Sequence, residues 1–144
     1  MTGGRSLARF VMVVTTGWLL AVPPAIGAVH SFASPYPSSA DAVAFDAHVK
    51  KGQIVKVTGL GYSGFWFPCT PDPYSFFGSP FEAKVNGDRE FRIDPYGTEQ
   101  GDPKAVLLGK FNRKGTAARG SFTVKGNFSG YQCDGGHTWV SKRT

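Results

Sequence analysis

Two cysteines, three histidines and ten acidic residues are the side chains of this chain best suited to catalysis or metal binding. Their spacing narrows the chemistry quickly. Cys133 and His137 have a loosely metal-like separation. A tetrahedral site needs two further ligands, and a sulfur held in a disulfide cannot ligate. No second pair completes such a site. His30 lies in a Ser/Pro-rich stretch, and His48 sits close to the basic pair Lys50-Lys51. Nucleophilic catalysis lacks its elbow, because no G-x-S-x-G sequence presents a serine on a strained turn. Glycoside hydrolysis needs two facing carboxyls. The acids Asp72, Glu82, Asp88, Glu99, Asp102 and Asp134 fall mostly in turn-like sequence. Glu90 and Asp94 could share a face, but Arg92 between them points the same way. No catalytic residue, metal ligand or cofactor is therefore expected, and a small extracellular hydrolase acting on glycans stands only as the alternative to a binding module.

The aromatic residues are the stronger candidates. Tyr62, Phe65, Trp66, Phe67, Tyr74, Phe76 and Phe77 fall within sixteen residues around Cys69. Phe65 and Phe67 alternate with Trp66, as on a buried strand. From Pro68 to Pro80 the chain carries Pro68, Pro71 and Pro73 close together. Proline lacks the N–H that a ladder requires, so this segment is expected to be a loop. Rings on such a loop either cap the core or form a platform for a sugar face, a peptide or a lipid interface. The candidate ligand-binding residues are Trp66, Tyr74, Phe76 and Phe77, and the candidate partners are a glycan, a peptide or an envelope component. Lys50-Lys51, Lys56, Lys84, Arg113-Lys114, Arg119, Lys125 and Lys142-Arg143 are scattered along the sequence. They read as a solvated surface rather than the clustered footprint of a nucleic-acid binder, so no nucleic acid is expected.

Short β-strands must position these groups. Glycines and prolines (19 and 10 of them) cut the chain into pieces too short for a helix of any length. Ala42 to Val49 reads as a strand with Val43, Phe45, Ala47 and Val49 on one side, and Gln53 to Thr58 as the next. Gly59, Gly61 and Gly64 read as a turn. Phe81 to Val85 and Arg89 to Ile93 flank Asn86-Gly87-Asp88, whose Asn-Gly pair suits a hairpin turn. Ala105 to Asn112 and Thr116 to Lys125 form a further pair, expected to bring Phe111 and Phe122 together. Tyr131 to Cys133 and Thr138 to Val140 read as short terminal strands. Asn127-Phe128-Ser129 matches a glycosylation acceptor and marks a surface turn.

The amino-terminal segment sets the compartment. Arg5 and Arg9 precede an apolar run from Phe10, which ends at Pro23-Pro24 and the small residues Ala25 to Ala28. This order is that of a secretory signal peptide over residues 1–28. The alternative is an uncleaved anchor, since Phe10 to Val29 is about long enough to cross a bilayer. Removing Arg5 and Arg9 lowers the formal charge from +6 to +4. The protein is thus expected to be secreted or extracytoplasmic, with a flexible Ser/Pro-rich lead-in over 29–41 and one domain over 42–144. In an exported chain the even cysteine count implies a disulfide, Cys69–Cys133.

Gly109-x-Phe111, Gly115-x-Ala117, Gly120-x-Phe122, Cys133-x-Gly135 and Trp139-x-x-Lys142 resemble a group of small secreted β-sandwich domains met in actinobacteria and their relatives. The resemblance covers about Gly52 to Arg143. It implies export, an antiparallel jelly-roll-like sandwich of about eight strands and a bond from an upstream cysteine to the last one. It implies no activity. The alternative fold is an immunoglobulin-like sandwich, which the cysteine separation and Tyr131 before Cys133 would suit. That fold lacks here its core Trp after the first cysteine, and only eleven residues follow Cys133. The expected function is a non-catalytic secreted binding or envelope-associated module.

Overall fold

The computed structural model describes residues 27–35, 41–97 and 103–144. The signal or anchor segment lies outside these residues except for Gly27 and Ala28, as do residues 36–40 of the expected lead-in. Eight antiparallel strands follow one another: β1 (Val29–Ala33), β2 (Ala42–Lys50), β3 (Gln53–Phe67), β4 (Tyr74–Lys84), β5 (Glu90–Ile93), β6 (Lys104–Phe111), β7 (Ala117–Phe128) and β8 (Tyr131–Arg143). They form one sheet in the order β4-β3-β2-β1-β8-β7-β6-β5. This corrects the two-layer arrangement expected of either sandwich, because hydrogen bonding runs unbroken through all eight strands. The sheet curls until its edges β4 and β5 approach each other, giving a nearly closed, barrel-like form.

The Asn86-Gly87 turn forms, but not the expected hairpin ladder. Asn86 Oδ1 accepts from the amides of Asp88 and Glu90. Beyond the turn the two strands part to become opposite edges of the sheet. Val85 N still donates to Val55 O on the β3 side, while Arg89 O accepts from Phe111 N on the β6 side. Each strand is held by a different neighbour.

Several glycines read as breaks lie instead within strands. β3 passes through Gly59, Gly61 and Gly64, and its pairing with β4 slips in register between Val57 and Phe65. Gly59 and Gly64 adopt φ of 58° and 75°. Such positions mark bulges, which bend and twist a strand without ending it. β8 likewise runs straight through Asp134-Gly135-Gly136. At Gly135 a Cβ would lie 3.1 Å from Cδ1 of Phe67, so the missing side chain is the space that this ring occupies. Val29–Ala33, placed in the flexible lead-in from sequence, is strand β1. Its Phe32 is buried and stacks on Phe45 at 5.0 Å. This buried ring and backbone pairing on both sides hold the short segment between β2 and β8.

The interior is filled by rings in two groups. Phe32, Phe45, Phe91, Phe111 and Trp139 pack at one end. Tyr62, Phe65, Phe67, Phe76, Phe122 and Phe128 pack at the other. Phe111 and Phe122 therefore belong to different groups, contrary to the expected pair. The register explains this: Phe111 faces Ala118, and Phe122 faces Leu107. Small barrels are commonly filled by side chains in this way.

Tyr62 stacks on Phe81 and tilts against Phe122. Burial, with Tyr96 adding to it, pushes its phenol from 10.0 to about 12. The raised value favours the neutral ring in the folded state. Its contribution to stability is therefore complete below the ordinary value of 10.0 and is lost as pH rises toward about 12. Urea denaturation should show wild type weakening across that window, and Tyr62→Phe should weaken less. Parallel losses in the two proteins would contradict the assignment.

Candidate functional site

The end of β3 and the start of β4 alternate strictly, and this sorts the four candidate rings. Phe65 pairs with Phe76, and Trp66 with Ser75. Phe65, Phe67 and Phe76 point inward and are buried. Trp66 and Phe77 point outward from adjacent strands, 59% and 77% exposed. Tyr74 is half-buried, with its ring 4.7 Å from Tyr131 and 5.0 Å from Phe76. The structure thus leaves Trp66 and Phe77 as the solvent-facing pair, Tyr74 at the rim and Phe76 within the core. The segment from Pro68 was expected to remain a loop to Pro80, but strand β4 begins at Tyr74. Pro80 lies within β4, an edge strand, where a missing donor is tolerated.

Behind the exposed pair, β3 is fastened to β8. The disulfide Cys69–Cys133 has an S–S distance of 2.03 Å, and an isolated bridge pairs Thr70 with Gln132. His137 Nε2–H donates to the carbonyl oxygen of Trp66 at 2.8 Å, while Nδ1 lies 3.4 Å from Asp41 Oδ2. The imidazole also stands edge-on to Phe67, with ring centroids 4.7 Å apart. Both nitrogens of His137 are thus engaged in holding the strand that carries Trp66. This fixed backing is what would let the outer rings act as a rigid surface.

The acids make pairs of another kind. Arg92 clasps Asp94 at 2.8 Å, and Lys110 holds Glu90 at 3.0 Å. The Lys110 hydrogen bond, helped by the Asn86 amide, holds the Glu90 carboxyl below its ordinary range. The two acids once placed on one face are therefore each committed to a cation. Among the described residues no three His, Cys, Asp or Glu side chains gather as metal ligands, and no helix is long and apolar enough to cross a membrane.

Sequence reasoning missed one grouping. Arg89, the adjacent pair Arg113-Lys114 and Arg143, which are separated along the chain, line one cleft at the end of the barrel opposite the disulfide. Their sequence spacing carries no signal, because only the meander topology stacks the β2–β3, β4–β5 and β6–β7 turns side by side. No family model, no curated protein and no solved structure matches this chain.

Proposed function

We propose that this protein is a non-catalytic binding module that works outside the cytoplasm and holds a glycan or other envelope component against Trp66 and Phe77. The observation that carries the reading is the outward exposure of two large rings on adjacent strands, braced from inside by the disulfide and His137. An aromatic face offers apolar area at little cost in side-chain entropy and matches the apolar face of a sugar ring. The disulfide suits an oxidising compartment. Export with removal of residues 1–28 would leave β1 whole, since it begins at Val29. The resemblance to secreted bacterial sandwich domains supports the same setting.

The test is a glycan array probed with protein recovered from the medium or envelope of expressing cells. The amino terminus of that protein should be Val29. Replacing Trp66 and Phe77 together by alanine should abolish binding while changing stability by less than about 1 kcal/mol, as at ordinary surface positions. Retained binding by the double variant would reject this face. Protein found only in the cytoplasm, with its first 28 residues intact, would reject export.

A further inference from the structure

The cleft at the opposite end of the barrel has a volume of about 370 Å³. Three turns and the end of β8 converge on it. Gly52 comes from the β2–β3 turn and Gln53 from the start of β3, Asn86, Gly87 and Arg89 from the β4–β5 turn, and Asn112 to Gly115 from the β6–β7 turn. The β6–β7 turn lies close to the start of β3: a Cβ on Gly115 would lie 3.4 Å from Ile54 Cδ1. Arg143 N donates to Thr116 O, which fixes the end of β8 against the same turn. Val49, Ile54 and Phe111 supply an apolar floor.

The charge of this cleft is one-sided. Arg89, Arg113, Lys114 and Arg143 line it together with His30, and no acid does. Lys50 and Lys51 lie beside it on the β2–β3 turn. Asp88 and Glu90 are the acids on the adjoining turn, and Glu90 is already held by Lys110. None of the four lining cations has a carboxylate partner among the described residues. Arg89 is also specially placed. Its φ of 66° is rare for a side chain other than glycine, and its Nε donates to the Phe111 carbonyl at 3.2 Å. That bond fixes the guanidinium while leaving its two terminal nitrogens for a ligand. A planar fork beside three further cations matches an anion with several acceptor oxygens and high charge density.

We propose that this cleft binds a phosphate-bearing anion the size of a lipid headgroup or a sugar phosphate. The volume fits one such group with its first carbons on the apolar floor. Ala28 O accepts from Val49 N near the cleft, so the chain enters the barrel at this end.

The test follows the backbone amides of Gly52, Gly87 and Gly115 by NMR, using the full chain. Glycerol 1-phosphate is the soluble probe, and phosphatidylcholine nanodiscs with and without phosphatidylglycerol are the lipid probe. Saturable shifts with glycerol phosphate assign a soluble phosphoester. Shifts that need phosphatidylglycerol assign the headgroup. Arg113→Ala with Lys114→Ala, both in an exposed turn, should weaken either response about tenfold. Lys104→Ala with Lys125→Ala removes the same charge from a facing pair on β6 and β7 and should leave it intact. No shift with either probe, or an equal loss in the two double variants, would overturn the site.

Discussion

Gly120→Ala is expected to destabilise the barrel by at least about 3 kcal/mol, at the upper end of overpacking changes. A Cβ at this position would fall 1.7 Å from the carbonyl oxygen of Leu108 and 2.9 Å from Cα of Gly109. These are backbone atoms of the neighbouring strand and cannot rotate away. The Leu108 carbonyl is also the acceptor for Trp139 Nε1 at 3.2 Å. Any shift of β6 that relieves the clash therefore disturbs the Trp139 bond as well. Gly109, the cross-strand partner of Gly120, meets a softer obstacle. Its Cβ would lie 2.2 Å from the Phe91 ring, and a ring can move by displacing its neighbours. Gly109→Ala should cost less than Gly120→Ala. Gly87→Ala, with nothing within 4 Å of its Cβ, should change stability by no more than about 0.5 kcal/mol. Urea denaturation of the three variants checks the ranking, and a Gly120→Ala protein as stable as Gly87→Ala would refute the steric account.

That ranking also shows what the sequence could and could not disclose. The paired G-x-F motifs were visible as a pattern, and their cause is now plain: Gly109 and Gly120 face each other where β6 and β7 make room for Phe91 and bring Trp139 to the Leu108 carbonyl. Antiparallel pairing and the disulfide were legible, because alternation and the even cysteine count are local or arithmetic signals, whereas the strand number agreed only because the unread β1 was offset by reading β8 as two short strands. The single sheet was not. Gly59 and Gly64, where β3 carries its bulges, look in sequence the same as turns, so one long bent strand could not be told from separate short ones. The separation of Phe111 from Phe122 turned on register, which a four-residue offset past the turn decides. At the candidate binding face, period-two alternation did place Trp66 opposite to Phe65 and Phe67. It could not place Phe76 and Phe77, because the prolines hid the strand that carries them. The basic cleft was the least legible feature of all, since its members meet only through the order of strands around the barrel.

Removing the disulfide should produce the other large effect, a loss of about 4 kcal/mol from a chain-entropy estimate for cysteines 64 residues apart. The topology gives this bond more than an entropic role. β1 is the strand that joins the two halves of the meander, yet it has only five residues and pairs with β8 through Phe32–Arg143 and Ala33–Lys142, with Thr144 N donating to Ser31 O just beyond them. From Ser141 back to Tyr131, β8 has no β1 partner. The gap is crossed by separate ties: Ser141 Oγ to Val43 O, His137 to Trp66 O, the Thr70–Gln132 bridge and Cys69–Cys133. Only the last is covalent. Alanine is the right replacement at both positions, because Cys69 and Cys133 are buried and serine would add an unpaired hydroxyl. The double variant should keep its inner ring groups but lose much of the roughly 5–15 kcal/mol that stabilises a typical domain. Hydrogen exchange should then speed up first at Thr70, Gln132 and the β3–β8 seam, before the β6–β7 ladder, which this bond does not brace. A variant within about 1 kcal/mol of wild type, with no preferential exchange along that seam, would show that the noncovalent ties alone hold β3 to β8.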